Sequence, residues 1–112
     1  MKDIRDMLSR RYGIEIDKLD SNGYGETIMG AEPDHCYLCG STNYARHEVV
    51  YGTANRQKSK ALGLWVTLCP KHHEQSHHDK EMIEEWHKMA QVLCDRKYGA
   101  GTFFKVFGRN YL

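Results

Sequence analysis

No stretch of this 112-residue chain comes near the ~18 consecutive apolar residues that a membrane span requires, which argues against a membrane partner. Neither sign of charge dominates. Lys+Arg total 16 against Asp+Glu 15, for a formal net charge of +1 and a pI near 7.7. That balance excludes a strongly basic tail protein and an acidic, solvating one. The opening Met1-Lys2-Asp3-Ile4 does not read as a secretory signal, and no internal repeat is visible. Aliphatic material is scarce too. Ile, Leu, Val and Phe make up only about a fifth of the chain, near the range where folding becomes doubtful. A single domain, or one with a short extension, should bury roughly two thirds of its unfolded surface at this length. Seven Tyr and two Trp supply part of that core, but a staple is still expected. Four cysteines and seven histidines suggest what it is.

Cys36-Tyr37-Leu38-Cys39 is a C-x2-C pair, and Cys69-Pro70-Lys71-His72 repeats the spacing with histidine in the last place. Two thiolates so spaced sit on a tight knuckle that presents both sulfurs to one ion, and a second pair completes the tetrahedron that Zn²⁺ prefers. Gly40 supplies the turn through positive φ that a knuckle needs. In the cytoplasm expected for this chain the thiols stay reduced, so disulfides are disfavoured. The competing reading, a redox C-x2-C beside an unrelated cysteine, lacks the surrounding βαβ pattern. Cys94 lies in a helical stretch and reads as a small core residue.

The pattern along the chain is mixed. Met1 to Tyr12 predicts an amphipathic helix with Ile4, Met7, Leu8 and Tyr12 on one stripe, ended by Gly13. Ile14 and Ile16 suggest a short extended piece. Residues 21–34, rich in Gly, Ser and Asn, read as a linker or mobile loop. Tyr44 to Tyr51 is a strand candidate, and Thr53 to Lys60 a polar loop without an acidic residue. Leu64, Val66 and Leu68 alternate with Trp65 and Thr67, as in a half-buried strand. Pro70 then opens a helix. Asp79 caps another that runs to about Tyr98, with Met82, Ile83, Trp86, Met89, Ala90 and Leu93 on its apolar face. Thr102 is the expected cap of a last short helix. The divisions expected are 1–34 (helix and linker), 35–78 (metal-bearing core) and 79–112 (helical extension).

Four imidazoles fall within His72-His73-Glu74-Gln75-Ser76-His77-His78. On a helix opened by Pro70, His73 and His77 stand one turn apart on one face, from which both can reach a single divalent ion. His72 points elsewhere and is free to close the zinc site with Cys69. The plainer alternative makes His73 and His77 ordinary polar-face histidines.

These elements together resemble the HNH, or ββα-metal, endonucleases. The resemblance runs from about Cys36 to His77 and rests on the knuckle, the strand His47-Glu48-Val49-Val50, and the run Leu68-Cys69-x2-His72-His73-x3-His77. The stretch from Asn55-Arg56-Gln57-Lys58-Ser59 to Gly63-Leu64 and the ending Phe107-Gly108-Arg109-Asn110-Tyr111-Leu112 look like small phage-encoded members. The resemblance implies an α+β fold: a zinc-stabilised ββα-metal core with an N-terminal helix and C-terminal helices. It implies phosphodiester hydrolysis in DNA, in the cytoplasm of a bacterial host if the chain is phage-derived; the sequence has nothing that looks like a base-reading element, so selection by structure rather than by sequence is expected. Matching Val49-Val50 to the family's aliphatic pair makes His47 a metal ligand with His73 and His77, and puts Glu48 in the general-base place. The other register makes His47 the base and puts Arg46, which cannot ligate, in the ligand place. Leu64 stands where the family often has an asparagine.

Family logic adds Mg²⁺ or Mn²⁺ as the catalytic ion beside the structural Zn²⁺. Arg56, Lys58 and Lys60 are the residues expected to hold the phosphate backbone of DNA, branched or single-stranded. A homodimer is compatible with this reading, because one ββα unit nicks one strand. The alternative is a catalytically silent zinc module that binds DNA or a protein partner, and the glutamate in the base position supports it.

Overall fold

A computed structural model describes residues 4–30 and 33–112. Helix α1 (Ile4–Tyr12) buries Leu8, and Gly13, at φ 69°, ends it by returning its N–H to the Ser9 carbonyl at 3.0 Å. Met1 to Asp3, also expected in that helix, lie outside the described residues. Ile14 is buried, but no strand forms around it.

Strands β1 (Ala45–Glu48) and β2 (Trp65–Leu68) pair antiparallel, with His47 opposite Val66 and Glu48 opposite Trp65. Between them the expected polar loop is in part a helix, α2 (Arg56–Ala61). Arg, Gln, Lys and Ala are all strong helix formers, and Ser59 and Ala61 turn inward to the core. Charge density hid a short amphipathic helix whose lysines also suit its C-terminal end.

β2 was expected to bury one face and buries both; Trp65 is 4 % exposed and Thr67 1 %. The cover is a strap, residues 24–29, within the stretch that composition reads as linker or mobile loop. Gly25 donates its N–H to Lys60 O, Ile28 to Gly63 O, and the Trp65 indole donates to Gly25 O, each at 2.9 Å. The Thr27 hydroxyl donates to Trp65 O at 2.7 Å. So close an approach of two backbones demands glycine. A Cβ on Gly25 would collide with the Ala61 carbonyl, and one on Gly63, at φ 81°, with the Glu26 carbonyl. Gly63→Ala should therefore destabilise the protein by roughly 3 kcal/mol. Gly13→Ala, with comparable positive φ but nothing within 4 Å of its Cβ, should lose only about 1 kcal/mol. Equal losses in urea unfolding would refute the strap contact.

Helix α3 (Pro70–His78) begins with Pro70 in its first turn and packs on both strands. Asp79 then joins two helices. Its N–H reaches Gln75 O, and its carboxylate accepts from the Met82 N–H to start α4 (Lys80–Tyr98). α4 packs on α3, and Trp86 donates its indole N–H to the Ser76 hydroxyl at 3.2 Å. Cys94 is fully buried in the core, and burial pushes its thiol up to about 12. Thr102 does not cap α5 (Thr102–Phe107). Gly101 occupies that position, the Asp95 carboxylate accepts from the Phe103 N–H, and the Thr102 hydroxyl donates back to Tyr98 O. The architecture is α+β: a two-stranded sheet covered by helices and a strap. Among the described residues no helix is long and apolar enough to cross a membrane.

Candidate metal centres

Four ligand atoms, one each from Cys36, Cys39, Cys69 and His72, all lie within 4.8 Å of one another. The first two cysteines come from a knuckle in which Gly40, at φ 77°, donates to Cys36 O while the Cys36 N–H donates to Ser41 O. Cys69 stands at the end of β2 as the residue that caps α3, and His72 follows one turn later. Donors at about 2.3 Å (sulfur) and about 2.0–2.1 Å (nitrogen) from a shared tetrahedral centre stand about 3.8 Å apart for S···S and about 3.6 Å for S···N. The observed separations are 3.8 Å between the Cys39 and Cys69 sulfurs, and 3.6 Å and 3.3 Å from His72 Nδ1 to Cys36 and Cys69. This Cys3His set is compatible with a structural zinc.

The electrostatics agree. Burial alone would raise the Cys36 thiol, but hydrogen bonds to the backbone of Cys69, Cys39 and Leu38 and to the His72 ring bring it down to about 6. At Cys39 the Ser41 backbone favours the thiolate, yet the crowding sulfurs of Cys36 and Cys69 push its pKa up. A cluster that stabilises one thiolate and resists the next is one that a divalent cation would neutralise.

His73 and His77 occupy another face of α3, one turn apart, and meet His47 from β1. The three rings form a near-equilateral triangle with centroids 5.0–5.2 Å apart, and one nitrogen from each lies within 4.8 Å of the others. Access is graded. His47 is 2 % exposed, His73 half-buried and His77 exposed, so this site is open on one side where the Cys3His site is closed by its fourth ligand. Burial first, then the facing histidines, pushes His47 down to about 3, and burial with His77 lowers His73. Both rings are therefore neutral at neutral pH, the form that binds metals.

The triangle opens onto a cleft of about 720 Å³, whose other wall carries Arg56, Gln57 and Lys60 from α2. Glu48 also borders this cleft but is 6 % exposed, and both its oxygens are engaged. Tyr24 of the strap donates its hydroxyl to Oε2 at 2.9 Å, and Arg56 donates Nε to Oε1 at 3.2 Å. Burial and this carboxylate push the Tyr24 phenol up to about 12.

The residues expected to bind phosphate do not all gather here. Arg56 and Lys60 line the cleft, but Lys58 donates to Val106 O at 3.0 Å, toward α5, and does not line it. Arg46, which composition did not single out, does line it. Its guanidinium lies over the Tyr24 ring at 4.2 Å and pairs with Asp20 at 2.7 Å. Tyr51, beside His77 with ring centroids 5.4 Å apart, and Gln57 were likewise unforeseen. Tyr51 had a legible signal, since it lies four residues past His47 at the end of a strand candidate. Tyr24 had none, because its place depends on the strap folding back across 24 residues of sequence. No protein-family description, curated protein or solved structure matches this chain.

Proposed function

We propose that this chain is a metal-dependent endonuclease of the HNH (ββα-metal) type, hydrolysing phosphodiester bonds in DNA. The observation that carries the proposal is the convergence of His47 with His73 and His77 at the mouth of a cleft bearing Arg56 and Lys60. In this reading the three imidazoles hold a divalent ion. Of the two ions that the resemblance implies, an all-nitrogen donor set suits Mn²⁺ better than Mg²⁺, whose preference is for oxygen. Such an ion supplies Lewis-acid stabilisation of the charge that builds on the phosphoryl and leaving oxygens. Lys60 holds the substrate phosphate against the histidine wall, and the exposed edge at His77 admits it. With His47 committed as a ligand, Glu48 is the residue that takes a proton from the attacking water. To do so it must share one of the oxygens now held by Tyr24 and Arg56.

That requirement favours a second reading, a catalytically silent zinc module that binds DNA or a protein partner. One experiment separates the two. Zinc-loaded protein, stripped of weakly bound metal, is incubated with supercoiled, single-stranded and branched DNA while Mn²⁺ or Mg²⁺ is added back. His77→Ala, purified in parallel, controls for contaminating nuclease. The nuclease reading expects metal-dependent cutting by wild type alone. Absence of cutting by folded, zinc-loaded wild type with either ion would overturn it in favour of the silent module.

A further inference from the structure

The ending Phe107-Gly108-Arg109-Asn110-Tyr111-Leu112 has no part in the chemistry above, yet it is tied down close behind it. Gln91 on α4, 5 % exposed, grips the tail with both ends of its amide. Its Nε2 donates to Asn110 Oδ1 at 3.0 Å, and its Oε1 accepts from the Tyr111 N–H at 2.7 Å. Gln91 is four residues past His87, so the two share a helix face. The grip therefore lays the Tyr111 ring on the His87 ring, stacked with centroids 4.3 Å apart and planes 24° from parallel. The half-buried His87 ring in turn lies where the Val49 backbone, two residues beyond His47, favours its protonated form, and sits 6.4 Å from the Tyr51 ring. Tyr51 meets His47 at 6.2 Å and His77 at 5.4 Å.

We infer that Tyr111 and His87 are positioning residues for the three-histidine centre: the C-terminal tail, clamped by Gln91, fixes His87 behind β1 and so fixes where His47 and Tyr51 stand. This rests on the metal-centre reading above. The reason such support matters is geometric. His73 and His77 share one helix and are mutually fixed, whereas His47 arrives at the end of a four-residue strand. The strand end pairs with β2 along one edge, where Val49 just beyond it donates its N–H to Leu64 O at 3.0 Å, and His87 adds support to the residues that follow. Groups that orient metal ligands without touching the ion commonly change its affinity by 10–100-fold.

The test is titration of zinc-loaded full-length protein with Co²⁺, whose ligand-field absorption reports the geometry of a nitrogen site. That signal is distinct from the thiolate charge-transfer bands that displacement of the Cys3His zinc would give. Tyr111→Ala and Asn110→Ala should bind Co²⁺ about tenfold more weakly than wild type with an altered spectrum, while keeping their zinc. Tyr111→Phe, which retains the stacked ring, should match wild type. Equal Co²⁺ affinity and spectrum in wild type, Tyr111→Ala and Asn110→Ala would overturn the positioning role while leaving the metal centre standing. Loss of the Cys3His zinc in both variants would also overturn it, by marking the tail as general fold support. Failure of wild type to bind Co²⁺ outside the Cys3His site would remove the metal centre itself, and the inference with it.

Discussion

Cys36→Ser is expected to yield a chain that neither retains zinc nor melts cooperatively. Binding of structural zinc contributes on the order of 10–16 kcal/mol in small zinc-dependent folds, comparable to the whole stability of an ordinary domain, about 5–15 kcal/mol. This chain has few other reserves, since its aliphatic residues are sparse. The Cys3His cluster also fastens the knuckle to the junction where β2 runs into α3, beside the Tyr37 N–H bond to Thr67 O at 2.8 Å. Serine keeps the size of the side chain but binds zinc far more weakly than a thiolate. Cys94→Ala is the control, removing an equally buried sulfur from α4. It should lower stability by only about 1–2 kcal/mol. Zinc content and thermal melting of both variants decide the matter. A Cys36→Ser protein that melts like wild type would remove the structural zinc, and equal damage from Cys94→Ala would assign the loss to core packing.

What the sequence made legible follows from how local each signal is. The two C-x2-C/H pairs and the helical spacing of His73 and His77 are short-range patterns. The structure brings all four zinc candidates together, and His47 to the other two histidines. Asp79 as a cap and Gly13 as a stop are equally local, and each lies where expected. The failures are nonlocal or masked. A Gly-rich segment reads as linker because glycine is flexible in isolation. Here Gly25 and Gly63 are instead required for two backbones to touch, which only the tertiary partner reveals. The run Arg56 to Lys60 reads as loop because its charges outweigh two small inward residues, Ser59 and Ala61. Glu48 could be read from its position as a base, but its engagement by Tyr24 and Arg56 could not. One of those partners lies on the strap that composition concealed.

His73→Ala and His72→Ala, adjacent in sequence, should have opposite consequences. His72 completes the closed cluster, with Nδ1 at 3.3 Å from the Cys69 sulfur, so its loss should release zinc and unfold the chain much as Cys36→Ser does. His73 faces the cleft and only the open site. Its ring is held in the neutral form by burial and by His77, so alanine there removes no fixed charge partner from the fold. The His73→Ala protein should keep its zinc and melt within a few degrees of wild type. If the chain is the nuclease proposed above, the metal-dependent DNA cleavage of this variant should fall by at least about a thousandfold, equivalent to about 4 kcal/mol of lost transition-state stabilisation. Two histidines would remain, too few to fix an ion in one geometry against the cleft wall. Loss of zinc from His73→Ala with retention in His72→Ala would mean that the two adjacent rings exchange roles. Full cleavage by a zinc-loaded His73→Ala protein would place the reacting metal away from the triangle of His47, His73 and His77, and with it would go the case for a nuclease built on that triangle.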